Sequence, residues 1–127
     1  MMVQSEFHDV VLKEAREIIK KYNLQTETIS ENKITLIAKE YIIEFNRDRD
    51  GVFLIYIDIE KPSFGYNIFK FLAEKRNNFL SFNKNNNLPF VLGQVRSLVD
   101  HLKSAGVDIL EGNKKWLNDY VWPPINR

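Results

Sequence analysis

The chain has 127 residues, of which 44% are hydrophobic and 28% charged, with a formal net charge of +1. Only five Gly and four Pro occur, so the composition is that of an ordinary globular domain and excludes collagen-like and disordered classes. There is no Cys, which removes disulfides, thiolate zinc sites, iron–sulfur clusters and cysteine nucleophiles together.

Residues 5–22 carry apolar side chains at helical spacing. Phe7, Val11, Ile18 and Tyr22 share one face, with Leu12, Ala15 and Ile19 beside it. Ser5 suits the N-cap, and Asn23 tolerates the left-handed backbone that ends a helix. Strand-like segments follow at Thr26–Ser30, Ile34–Ala38 and Tyr41–Asn46, separated by Glu31-Asn32 and by a weaker break at Lys39-Glu40. Arg47-Asp48-Arg49-Asp50-Gly51 is the clearest turn, because Asp-Gly accepts positive φ. Val52–Glu60 is the strongest strand. Phe53, Ile55, Ile57 and Ile59 alternate with Val52, Leu54, Tyr56 and Asp58, and the first set is expected to form the inner face. The second set, with Ile37 or Ile42, is expected on an outer face that the chain's own helices cover.

Past Pro62, Tyr66–Arg76 reads as a helix with Ile68, Phe69 and Leu72 inward, and residues 77–88 as an Asn-rich loop anchored by Phe79, Leu80 and Phe82. Phe90–Ala105 is a second strong helix. Pro89 suits its first turn, Val91, Val95, Leu98 and Leu102 form its stripe, and Gly106 stops it. Asp108 is placed to cap a short helix through Glu111. A last helix starting at Asn113 would bury Trp116, Leu117, Tyr120 and Val121. A helix, then strands, then about three helices indicates one α+β domain over residues 1–127, with an antiparallel meander of three or four strands.

The opening Met1-Met2-Val3-Gln4-Ser5-Glu6 lacks the pattern of a secretory signal, and the longest apolar run, Val52–Ile57, is far shorter than the roughly 20 residues of a membrane helix. A cytoplasmic location without membrane association is expected. The two His, at positions 8 and 101, form no HExxH pattern, and the Gly residues form no phosphate-cradling loop. Asp100 and His101 are neighbours, which point apart on a helix. Asn46–Gly51 follows the first half of a calcium loop, but Ile57 stands where the bidentate Glu belongs, and two Arg oppose a dication. The expectation is a non-enzymatic chain with no metal or cofactor.

Charge is zoned along the chain. Residues 26–60 carry four basic and eight acidic groups, whereas residues 61–87 carry five basic and one acidic. The acidic block includes Glu40, Glu44, Asp48, Asp50, Asp58 and Glu60. Carboxylates on a stiff sheet can steer a basic protein into contact. The basic block interleaves Lys61, Lys70, Lys75, Arg76 and Lys84 with Phe64, Tyr66, Phe69, Phe71, Phe79 and Phe82, the pairing that single-stranded nucleic-acid binders use.

In its hairpin Asn46–Gly51, the strands of Ile34–Ile59 and the order helix, meander, helices, the chain resembles small immunity proteins of bacterial polymorphic-toxin and contact-dependent-inhibition systems. The resemblance implies a protein that binds a cognate toxin domain and occludes its active site. The candidate contacts are Glu44, Asp48, Asp50 and Asp58, with Tyr56, where exposed, as an aromatic anchor. The alternative is a nucleic-acid-associated domain using residues 61–87.

Overall fold

The computed structural model describes residues 6–48, 51–61, 65–68, 71 and 88–118. Helices α1 (Glu6–Glu14) and α2 (Arg16–Lys21) replace the single helix expected over 5–22. They break at Ala15, whose φ of −90° and ψ of 5° leave the helical region while its side chain stays buried. Phe7, Val11, Ala15 and Ile18 form the buried stripe. Asn23 has a φ of 54°, the left-handed stop its residue type favours. Ser5 lies outside the described residues.

Five strands follow in simple order, all antiparallel: β1 (Gln25–Ser30), β2 (Lys33–Ile37), β3 (Tyr41–Asp48), β4 (Gly51–Asp58) and β5 (Tyr66–Asn67). The Lys39-Glu40 break is a real turn, closed by the Ala38 N–H donating to Tyr41 O at 2.9 Å. β5 is a strand beyond the three or four expected. It occupies the start of the segment read as a helix from Tyr66, because Tyr66 pairs with Tyr56 and Asn67 with Ile55 on the edge of β4. Ile68 and Phe71 are helical and buried beyond it. Phe69, Leu72, Phe79, Leu80 and Phe82 lie outside the described residues.

Register corrects the expected faces of β4. Leu54 sits opposite Phe45, and Tyr56 opposite Ile43; Phe45 and Ile43 in turn sit opposite Ile34 and Leu36. This continuous apolar face, with Val52 and Tyr41, is the inner one, and all its members are at most 3% exposed. Phe53, Ile55 and Ile57 lie on the opposite face with Ile42, Ile37, Thr35, Glu44 and Asn46. Ile59, expected to extend the inner stripe, falls after the strand and is exposed. The reason is the neighbouring strands: the face shared by Phe53 and Ile55 carries Lys33, Thr35, Glu44 and Asn46 across β2 and β3, so it is the costlier one to place against helices.

Helix α3 (Leu88–Ala105) packs on α1 and β4 through Val95, Leu98, Val99 and Leu102. The Val91 side chain lies outside those described. A further turn, α4 (Val107–Leu110), starts from Gly106, which corrects the expected cap at Asp108; no side-chain cap is formed. The chain ends its described course in a 3-10 turn, Lys115–Asn118, where the expected helix was to start at Asn113. Asn113 opens it, its Oδ1 accepting the Lys115 N–H at 2.8 Å. Tyr120 and Val121 lie outside the described residues. The result is α+β, with one apolar core between helices and inner sheet face. Among the described residues, no helix is long and apolar enough to cross a membrane.

Candidate protein-binding surface

The described members of the expected contact set do not share a surface. Glu44 lies in mid-β3 on the face opposite the helices and is 4% exposed. Tyr56 is 0% exposed beneath the helices, so the condition for an aromatic anchor is not met. Its ring stacks on Tyr41 at 5.6 Å and receives the edge of Trp116 at 4.7 Å. Asp48 is exposed at one end of the β3–β4 ladder, while Asp58 is at the other, seven residues along β4 or about 24 Å away. Asp50 lies outside the described residues.

What the fold does assemble is a cluster at the Asp58 end of the sheet. The β2–β3 turn and the chain leaving β4 are joined by the Ile59 N–H donating to Glu40 O at 3.3 Å. This brings Glu40 beside Asp58 and Glu60. The segment after α4 closes over them. Tyr41 Oη donates to Leu110 O at 2.8 Å, and Lys114 Nζ donates to Asp58 Oδ1 at 2.8 Å, with Glu60 Oε2 at 4.0 Å. Gly112, at φ +90°, passes so close to Glu40 that a Cβ there would meet Glu40 Oε2 at 3.3 Å. Glu40, Glu111, Lys39 and Tyr22 border a cleft of about 290 Å³ floored by Tyr41 and Leu110.

Two tiers of charge result. Asp58 is buried, with a side chain 8% exposed, and is held by Lys114. Burial pushes its carboxyl up, but the Lys114 hydrogen bond, the Glu60 N–H donating to Oδ1 and the charges of Lys114 and Lys61 outweigh burial, and the net direction is down. The hydrogen bond to Asp58 conversely raises Lys114, against desolvation and with help from the charges of Asp58, Glu60 and Glu40. Above this pair Glu40, Glu60 and Glu111 are exposed. Exposed carboxylates held on a stiff frame accept hydrogen bonds from Lys and Arg side chains of another macromolecule.

Glu40, Asp58 and Glu60 were legible as members of an acidic block. Glu111 and Lys114 were not, because they arrive from more than 50 residues away with no local pattern. Among the described residues, no three His, Asp or Glu side chains converge as a metal site would need. His8 is buried and its Nε2 donates to Ser30 O at 2.5 Å, tying α1 to the end of β1. His101 Nδ1 lies 2.6 Å from Ser97 O, one helical turn back. Of the basic and aromatic segment 61–87, Phe71 is buried against Trp116 and Tyr66 is half-buried in β5, so Phe71 is not free to stack on a base. Lys70, Lys75, Arg76 and Lys84, with Phe64, Phe69, Phe79 and Phe82, lie outside the described residues. The chain matches no protein-family model, no curated protein and no solved structure.

Proposed function

We propose that the chain is a protein-binding domain, and most concretely a cytoplasmic bacterial immunity protein that binds a cognate toxin domain and occludes its active site. The observation that supports this reading is the meeting of Glu40 and Glu111, from two separate segments, at the mouth of one cleft, with Glu60 near Lys114 beside it. Carboxylates gathered at one end of a sheet raise the encounter rate with a basic surface. Within the proposal the acidic contacts move from Glu44 and Asp48 to this rim, with Asp58 as its buried support.

The test is co-expression with the polypeptide encoded by the adjacent gene, followed by size-exclusion chromatography and kinetic binding measurements. The expected result is a stable complex whose association slows with salt. Glu40→Lys combined with Glu111→Lys is expected to slow association by about tenfold or more, because each exchange turns an attractive charge repulsive. Absence of a complex with that neighbour refutes the toxin reading. A complex that ignores both charge reversals refutes the rim as its contact.

A further inference from the structure

We infer that residues 111–118 form a latched strap, able to lift from the sheet without unfolding of the rest, and that the Lys114–Asp58 ion pair is its latch. The inference concerns the chain alone and stands apart from the identity of any partner.

The strap's course supports it. Its backbone hydrogen bonds among the described residues are local. Glu111 N–H donates to Val107 O, Gly112 N–H to Ile109 O, Asn113 N–H to Asp108 O and Leu117 N–H to Lys114 O. The Trp116 indole N–H also stays within the strap, donating to Asn113 O at 2.5 Å. None of these bonds needs the sheet. Among the described residues it is held to its neighbours by side chains: the Lys114 ammonium on Asp58, the Trp116 ring against Tyr56 and Phe71, and Leu117 against the core. The pivot is Gly112, whose φ of +90° suits a residue without a Cβ, at the start of the strap two residues after α4. An element joined to its neighbours by side chains, and internally hydrogen-bonded, can open as a small cooperative unit.

The strap covers something specific. Under Trp116 lies Tyr56, whose hydroxyl has no hydrogen-bond partner among the described residues, flanked by Tyr41 and Tyr66, while Phe71 packs on Trp116 itself. Lifting the strap releases Lys114 from Asp58 and replaces a closed, charged rim with an aromatic cleft beside Glu40, Asp58 and Glu60. The molecule thus holds two surfaces at this end, exchanged when the Lys114–Asp58 pair and the Trp116 packing give way together.

The test is hydrogen exchange of the full chain by NMR. The Trp116 indole proton and the amides of Asn113 and Leu117 report on the strap, and the amides at the centre of the β3–β4 ladder report on the whole fold. In the unmodified protein the strap protons are expected to exchange at least tenfold faster than the ladder amides, with little dependence on low urea concentrations. Asp58→Asn and Lys114→Met are each expected to speed strap exchange by about tenfold, the typical worth of one partly buried charged hydrogen bond. Val95→Ala, which loosens α3 against β4, is expected to speed ladder exchange and leave the strap unchanged. Equal strap and ladder rates with equal urea dependence in the unmodified protein overturn the inference. So do strap rates that ignore both latch variants, or that follow Val95→Ala.

Discussion

Two tyrosines stacked in the same core make opposite predictions when each loses its hydroxyl. Tyr41 Oη donates to Leu110 O at 2.8 Å. That carbonyl ends α4, where no helical N–H follows to satisfy it. Tyr41→Phe therefore deletes a buried bond and strips an acceptor, at a cost of about 1–2 kcal/mol. The Tyr56 hydroxyl is buried without a partner among the described residues, and its side chain is 0% exposed. Tyr56→Phe removes a desolvated polar atom, leaves a void of roughly one oxygen worth about 0.3 kcal/mol, and so is neutral to stabilising by up to about 1 kcal/mol. Both variants keep the rings stacked at 5.6 Å, so the comparison isolates the oxygens. Urea unfolding followed by far-UV circular dichroism is the assay, with the slope m checked for constancy. The variants are expected to differ by about 1–3 kcal/mol, or roughly 3–10 °C in Tm, with Tyr56→Phe the more stable. Equal losses for both, or a larger loss for Tyr56→Phe, refute the assignment of partners in this core.

Two further outcomes follow from the same structure. Gly51 has a φ of +127°, and a Cβ there would lie 2.7 Å from Gln94 Nε2, the side chain whose Oε1 accepts the buried Val52 N–H at 3.2 Å; Gly51→Ala is expected to cost about 1–3 kcal/mol in urea unfolding, and an unchanged midpoint sinks the argument. Asp58 is held below its ordinary value of 3.8, so its contribution is complete above that pH and is lost as pH falls through the lower folded value. Stability measured from pH 5 downward is expected to fall less steeply in Asp58→Asn than in the unmodified chain, and matching slopes count against the latch.

The elements legible in the sequence are those whose signal is local. The stripe Phe7, Val11 and Ile18, the stop at Asn23, the meander turns and the stripe Val95, Leu98 and Leu102 each rest on residues within a few positions of one another, and the structure places them as read. Tyr66–Asn67 failed because a two-residue strand has no periodicity of its own and is specified by the free edge of β4. The cap at Asp108 failed because Gly106 already starts the turn. The candidate site was half legible. Glu40, Asp58 and Glu60 stand close in sequence, whereas Glu111 and Lys114 come to them through the packing of α4, which no spacing encodes.

The reversal of β4 shows where further information was present. Read alone, β4 is ambiguous, since Phe53, Ile55 and Ile57 are as apolar as Val52, Leu54 and Tyr56. Strand pairing removes the ambiguity, because antiparallel partners share a face. Tyr41, Ile43 and Phe45 alternate with Ile42, Glu44 and Asn46, and Ile34 and Leu36 alternate with Lys33 and Thr35. Only one combination is apolar at every paired position across the three strands, and it places Tyr56 inside; the other joins the single apolar row Ile37, Ile42 and Ile57 to rows that carry Thr35 with Glu44 and Lys33 with Asn46. The same parity separates the acidic residues. Glu44 falls on the opposite face, Asp58 falls on the inner face beyond its last apolar pair, and a charge there must be buried with a partner or excluded. Lys114 is that partner. The position of the ionic latch is therefore a consequence of strand register: the inner face ends in a carboxylate, and the segment that closes over it has to bring a cation.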